Sequence, residues 1–472
     1  MIPLTLGEIA EVTHGTLLAP DETAAATLAS LVVDGPVVTD SREAGPGSLY
    51  VARVGEHADG HTYIPAAAEA GAVAALVTTP GGALPAVLVD DVQEAFAALA
   101  REVVKRQVAD GLVVVGITGS SGKTTTKDLL AHVLGSHAET VANLGSLNSE
   151  VGVPLTICRI TPSTRILVLE MGARGVGHVH YLTQMAQPRI GIELNVGSAH
   201  LGEFGSRAVI AQAKSELVAA LPSDGLAVLN VDDDLVRGMA PATTARIRTT
   251  GRSEQAEVRA TDIALGPTGA ASFTLHVDGE RREVRMGLLG EHQVDNALAV
   301  VAAALEVGMS LDDIVARLAD ARLGSRWRME RHERADGVVI VNDAYNANPD
   351  SMSAALRTLA RMERRGRAVA VLGAMYELGP DSVEEHRRMG RLAAELGIEA
   401  LVAVGPDAAA IADGAQSADL GGPQVQRVDT LDSAQALLEN LVAPGDIVLL
   451  KSSRDAGLRL LGDRLIGQEA HA

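Results

Sequence analysis

Leu112-Val113-Val114-Val115-Gly116-Ile117 runs directly into Thr118-Gly119-Ser120-Ser121-Gly122-Lys123-Thr124-Thr125. The first six residues are apolar without alternation, the pattern of a strand covered on both faces of a parallel sheet. The turn that follows is rich in glycine, and residues 125–134 have helical character. Strand, glycine turn and helix together form a phosphate cradle. Glycines let backbone N–H groups face an anion, the helix start adds the positive end of its dipole, and Lys123 can neutralise terminal phosphate oxygens. The Thr124 hydroxyl is then positioned for Mg²⁺. The spacing is Gly-x-x-Gly-x-x-Gly-Lys-Thr, with Ile117 where the strict P-loop pattern has glycine. Gly-x-Gly-x-x-Gly is not present at this turn, which disfavours a dinucleotide fold.

Outward from this point, buried-type strands recur at 166–169, 190–194 and 226–229 with helical stretches between them, the βαβ signature of a doubly wound sheet. Residues 256–286 alternate and are rich in turns, which predicts an antiparallel appendage, followed by a helix at 296–306. Upstream, strands at 49–52 and Ala72–Val77 alternate with turns, and 91–107 reads as a connecting helix capped by Asp90 or Asp91. Downstream of a composition break at Leu323-Gly324-Ser325-Arg326, buried-type strands return at 338–341, Ala368–Leu372, Ala400–Val404 and 447–450. The expectation is a three-domain α/β protein: 1–107, a central P-loop doubly wound domain over 108–322, and a Rossmann-like α/β domain over 323–472.

Sixty acidic against forty basic residues give a formal charge of −20. That balance argues against nucleic acid or an anionic membrane as partner, while a few local donors can still hold a nucleotide. Cys158 is the only cysteine, so no internal disulfide forms. The first residues lack a basic and apolar leader pattern, and no apolar run reaches the ~20 residues that span a bilayer. These features predict a soluble cytoplasmic protein, with a monomer expected. Only five cations are lysines, at 105, 123, 127, 214 and 451. In a chain that otherwise uses arginine, a retained lysine can mark chemistry that needs a compact amine.

Glu170 ends the strand beside the P-loop strand and is placed to hold Mg²⁺ directly or through water. Asn195 to Ser206 follows another buried strand; His200 could bind metal or order the loop, and Phe204 sits in a polar, glycine-bearing stretch where core packing alone does not explain it. Lys214 could supply a cation to an acyl phosphate or carry a charge-reversing modification. An Asn-Lys-x-Asp base reader is absent, which excludes a guanine-specific switch protein.

These motifs resemble the ATP-dependent Mur ligases of peptidoglycan precursor synthesis, along nearly the whole chain. The resemblance rests on Asp40-Ser41-Arg42, Pro46-Gly47 and the 55–61 segment, Thr118 to Thr125, Glu170-Met171-Gly172, Asn195 to Ser206, Lys214-x-Glu216, and Gly290-Glu291-His292 through Asn296. It continues through Arg328-Met329-Glu330, Asp343 to Pro349, Leu378-Gly379 with His386, and Lys451 to Arg454. It implies a uridine-nucleotide-binding first domain that includes Ser41 and Arg42. It implies that Thr118, Gly119, Ser120, Ser121, Gly122, Lys123, Thr124 and Thr125 hold ATP phosphates, that Asn296 reads adenine, and that Arg328 and Asp343 close over phosphate and ribose. Two Mg²⁺ sites are implied, one at Thr124 and Glu170, the other at His200 and a carbamylated Lys214. Lys123, Glu170, His200 and Lys214 form the implied catalytic set. The branch resembled joins D-alanyl-D-alanine to UDP-N-acetylmuramoyl-tripeptide, with Asn148, Asn346 and Asn348 as candidate substrate contacts. Ser146 and Ser149 stand where many members carry asparagine, and Ala374 replaces a usual acidic residue. Two rivals remain at this point: a Mur-like ligase for another amine or peptide in secondary metabolism, and a nucleotide-binding regulator that hydrolyses ATP without ligating.

Overall fold

In a computed structural model, residues 1–20, 25–55, 58–197, 201–418 and 422–468 are described. The chain is α/β throughout and builds its main sheets in series along the sequence. The central one has nine strands, in the order Thr140–Ala142, Ile166–Glu170, Val113–Thr118, Ile190–Glu193, Leu226–Asn230, Arg246–Gly251, Val258–Leu265, Ala270–Val277 and Glu280–Leu289. The first seven are mutually parallel, and the last two are joined on by antiparallel pairs, so that Ala270–Val277 alone runs against the rest. The alternating region expected at 256–286 forms the antiparallel hairpins, but it is no appendage: its first strand pairs in parallel with Arg246–Gly251 and its hairpins extend the same sheet.

The unbroken apolar run at 112–117 has its reason in the layers. Val115 and Ile117 pack toward the helices Lys123–Gly135 and Gln293–Val307, while Val114 faces the opposite core with Val179, Leu182 and Leu217. Both faces of the strand are dry, so both need apolar residues. After Val113–Thr118 the chain crosses to Thr140–Ala142 and Ile166–Glu170 on one side, then to Ile190–Glu193 on the other. This strand is thus the point where the winding reverses, and its carboxyl end opens on the crevice where doubly wound sheets bind ligands.

The N-terminal region carries a five-stranded sheet and a short two-stranded one. It joins the centre through the helix Val92–Ala109, capped by Asp91, whose Oδ1 accepts from the Gln93 and Glu94 amides at 2.7 and 3.1 Å. Phe96, Leu99 and Val103 of this helix belong to one core with Leu6 and Ile9 before it and Leu182 after it. The C-terminal region has a six-stranded sheet, Glu330–Glu333, Val339–Asn342, Ile447–Lys451, Ala368–Leu372, Ala400–Val404 and Gln424–Val428, parallel apart from its first edge strand. Phe204 turns out to be a packing residue, half-buried against two apolar clusters that include Leu217 and Ile210. No helix among the described residues is long and apolar enough to cross a membrane.

Candidate functional site

The carboxyl ends of the central strands, the N-terminus of Val92–Ala109 and the facing edge of the C-terminal sheet enclose a cavity of about 980 Å³. On its floor, Gly122 caps the helix Lys123–Gly135 with φ +81°, a left-handed conformation that favours glycine. A side chain there would also collide with Asn296, whose Oδ1 lies 2.5 Å from the Cβ position. The loop is held from behind by Asn195: its Oδ1 accepts from the Ser120 and Ser121 amides at 3.1 and 2.9 Å, and its Nδ2 donates to Ser121 O at 3.2 Å. Lys123 folds across the loop, its Nζ donating to Gly119 O at 2.7 Å. Burial depresses the Lys123 ammonium below the ordinary lysine range, and the Arg328 guanidinium adds to this while Glu170 opposes it.

Glu170 ends Ile166–Glu170 and is buried, and its oxygens are aimed by two elements. Oε2 accepts from Thr124 Oγ1 at 2.8 Å, and Oε1 accepts from Asn148 Nδ2 at 2.6 Å. The loop carrying Asn148 is tied to the same strand end, since Glu170 N donates to Asn143 Oδ1 at 2.7 Å. From the C-terminal region, Arg328 Nη2 donates to Thr124 Oγ1 at 3.0 Å, with its guanidinium 4.3 Å from the Tyr345 ring centroid. Asp343 is fixed by Lys451 Nζ, at 2.6 Å from its Oδ2, and by the Met329 amide, at 3.0 Å from Oδ1.

Lys214 projects from the helix Arg207–Ala219 and is 4% exposed. Burial first, then the nearby Lys123, push its amine down to about 7, against the pull of Glu193 and Glu170. Glu193 is 1% exposed and carries two oxygens without a hydrogen-bond partner among the described residues. Burial raises that carboxyl well above the usual range, and Lys214 counteracts it only in part. In an acidic chain, this cavity gathers Lys123, Lys214 and Lys451, three of the five lysines.

Three stretches of the chain match Mur ligase descriptions: residues 36–110 the Mur ligase family catalytic domain, 117–304 the Mur ligase middle domain, and 327–454 the Mur ligase glutamate ligase domain. A protein of Mycobacterium tuberculosis named UDP-N-acetylmuramoyl-tripeptide–D-alanyl-D-alanine ligase is 43% identical over 99% of this chain and 99% of its own length. This chain belongs to the Mur ligase family. A relative of the same name from Bacillus subtilis is 33% identical over 98% of this chain and 97% of that one. Among solved structures, MurF from Acinetobacter baumannii superimposes with a TM-score of 0.87 at 33% identity, covering 99% of each chain. MurF ligase from Thermotoga maritima in complex with ADP gives a TM-score of 0.78 at 29% identity, covering 91% of this chain and 97% of that one.

In this Mur ligase, Ser120 through Thr125, Glu170, Lys214, Asn148, Asn296, Arg328, Asp343, Asn346 and Asn348 all line the one cavity. Thr118 and Gly119 do not line it, and Thr118 is fully buried with Oγ1 unpartnered among the described residues. His200 lies outside the described residues. Ser41 and Arg42 do not reach the cavity: they sit in the turn Ser41–Glu43, with the Arg42 side chain 88% exposed and paired to Asp40 at 2.5 Å. That turn and Gly60–Tyr63 both pack against the helix Ile64–Glu69. His386 is a structural hydrogen-bonder: Nε2 accepts from Met375 N at 2.9 Å and Nδ1 donates to Ser382 O at 2.7 Å. Sequence reasoning gave no role to Asn195, Lys451 or Glu193. A single carboxylate inside an otherwise apolar strand was the available signal for Glu193, and the arginine-rich background was the signal for Lys451.

Proposed function

We propose that this Mur ligase joins D-alanyl-D-alanine to UDP-N-acetylmuramoyl-tripeptide at the expense of ATP, giving the pentapeptide, ADP and phosphate. The observation that carries the reading is the convergence of Lys123, Thr124, Glu170, Lys214 and Arg328 on one cavity, with Arg328 reaching Thr124 Oγ1 from the linker that leads into the C-terminal sheet. The tripeptide's terminal carboxylate attacks the γ-phosphorus and ADP leaves with the bridging oxygen. The resulting acyl phosphate is attacked by the amine of D-alanyl-D-alanine, phosphate departs, and the amine proton passes to solvent or a neighbouring base. A carboxylate and a triphosphate repel, so fixed cations at their meeting point lower the barrier most. Lys123 and Arg328 supply them. Asn296, beside Gly122, is positioned for the adenine end, and Asp343, oriented by Lys451, for the ribose.

The donor chemistry fits Mg²⁺ at Thr124 and Glu170. A hydroxyl and a carboxylate 2.8 Å apart are hard oxygen donors, and Mg²⁺ at nucleotides takes few protein ligands because phosphates and water supply the rest. When bound, the ion neutralises phosphate charge and orients the γ-phosphoryl group. Lys214 fits carbamylation. An amine held near 7 is substantially neutral at physiological pH, and the neutral form adds to CO₂, losing one proton and gaining a carboxylate that could serve a second Mg²⁺ together with His200. The first turns at Ser41 and Asp59 suit the uridine nucleotide, and Asn148, Asn346 and Asn348 suit the peptide substrates.

The test is ADP release and product mass in assays that omit each substrate in turn, with diaminopimelate- and lysine-containing tripeptides compared. Pentapeptide formation dependent on all three substrates is expected. ADP release indifferent to both peptide substrates would overturn the ligase reading, and preference for another amine would transfer the protein to a different member of the family.

A further inference from the structure

Lys127 is a buried lysine that the ligation chemistry does not use. It is 1% exposed, one turn along the helix from Lys123, and every proton of its ammonium is engaged. Nζ donates to Asn143 O at 2.7 Å and to Gly145 O at 3.0 Å, and pairs with Asp128 Oδ1 at 2.5 Å. The other oxygen of Asp128, Oδ2, accepts from the Ser325 amide at 2.8 Å. Neighbouring residues on a helix ordinarily diverge by about 100°. Here both turn into one buried point, where three segments of chain meet.

Each segment leads to the reacting centre. The helix starts at Lys123 and Thr124. The 143–148 loop carries Asn143, bonded to the Glu170 amide, and Asn148, which shares the Glu170 carboxylate with Thr124. Ser325 lies three residues before Arg328, whose guanidinium bonds Thr124 Oγ1. We propose that Lys127 and Asp128 are positioning residues that fix the peptide-side loop and the arm of the C-terminal region relative to the phosphate loop, so that carboxylate, Glu170 and Arg328 are aligned together. Nucleotide affinity has a separate support, since Asn195 braces the phosphate loop from the other side. The junction therefore governs peptide alignment more than ATP binding. This assignment rests on the ligation reading above.

Removing one charge alone would strand its partner in the interior, so both are neutralised together. Lys127→Met with Asp128→Asn cuts the bonds to the loop and keeps an acceptor for Ser325. Lys127→Met with Asp128→Leu cuts both arms. Thermal unfolding and circular dichroism check folding, ADP affinity is measured by calorimetry, and steady-state kinetics are run against each substrate. A displacement of about 1 Å at a reacting group can cost up to about 100-fold. The first variant is expected to raise KM for UDP-N-acetylmuramoyl-tripeptide about tenfold, with ADP affinity within about twofold of the parent. The second is expected to lose roughly a further tenfold in kcat. A folded first variant with the parent's tripeptide KM, or one that loses ADP and tripeptide affinity equally, overturns the proposal, as does failure of both variants to fold. If the parent itself does not ligate these substrates, the ligation reading fails instead, and the two failures are distinguishable.

Discussion

On the central side of the cavity, Lys123, Thr124 and Glu170 come from adjacent parallel strands and the helix that follows one of them. On the opposite side, Arg328, Asp343, Asn346 and Lys451 come from a linker, a strand end, a loop and another strand end, spread over more than a hundred residues. The first wall is rigid for local reasons. Strand pairing sets Glu170 opposite Ile117, and Asn195 locks the loop from a third strand's end. The second wall depends on one docking. Arg328 reaches Thr124 only because residues 325–329 cross between the two sheets, through Trp327 and Met329 with φ of +60° and +51°. Non-glycine residues adopt that region at a cost of about 1–3 kcal/mol each, which persists where surrounding contacts over-determine it. Trp327 is so held: its Nε1 donates to the buried Asp463 carboxylate at 3.0 and 3.2 Å, and it stacks with Tyr345 at a centroid distance of 6.4 Å. One wall should therefore set chemistry, and the other should set closure and water exclusion.

The largest expected effect tests the rigid wall. Lys123→Ala should lower kcat by about 100- to 1000-fold, the range for loss of one preorganised charge donor. Its thermal midpoint should change little, because Lys123 is half-buried at the cavity and its loss removes one hydrogen bond, to Gly119 O, worth about 1 kcal/mol. Activity within tenfold of the parent would break the division between the walls. Next is Lys214→Arg, expected to cost about 100-fold, since the guanidinium keeps its charge and cannot supply a carboxylate. In ¹³C-bicarbonate, a carbamate resonance should be present in the parent and absent in this variant. Sign matters here. The amine is charged below about 7 and neutral above, so the resonance should fade as pH falls through that value. A resonance that grows on acidification would remove the adduct from the account.

Sequence legibility follows the same division. The P-loop, the strand ending in Glu170 and the longer buried strands are legible, because local spacing and two-sided burial leave contiguous patterns, whereas short or half-exposed strands such as Val37–Val38, Thr140–Ala142, Arg246–Gly251 and Gln424–Val428 leave none. Lys214 stands out in the sequence because the chain otherwise uses arginine. Residues 256–286 alternate in sequence as they do in the strands, yet alternation does not reveal that the strand Val258–Leu265 joins the central sheet. Glu193 was hidden inside an apolar run, since a strand pattern records only the type of environment and not which lysine faces a given position. Phe204 misled for the opposite reason: a polar local sequence conceals packing supplied by the helix Arg207–Ala219. Lys127 and Asp128 likewise take their meaning from Asn143, Gly145 and Ser325, partners up to 197 residues away.

The smallest effects lie on the docked wall and decide whether it closes as a unit. Arg328→Ala removes a charged hydrogen bond to Thr124, a contact of about 1.5–3 kcal/mol, so KM for ATP should rise roughly 10- to 100-fold. The phosphate loop keeps Lys123 and its Asn195 brace, so ADP binding should be weakened and not abolished. Trp327 is the only tryptophan, and it sits one residue from Arg328 with its indole N–H on Asp463. Its emission therefore reports the linker directly. In the parent, titration with ADP and UDP-N-acetylmuramoyl-tripeptide should give a saturable emission change as the linker seats against the nucleotide. In Arg328→Ala that change should shrink, because nucleotide occupancy no longer pulls on the linker through Thr124. If emission responds equally in both proteins, the C-terminal wall closes through contacts elsewhere, such as Gly202 N with Glu377 O at 3.2 Å, and Arg328 acts on phosphate charge alone.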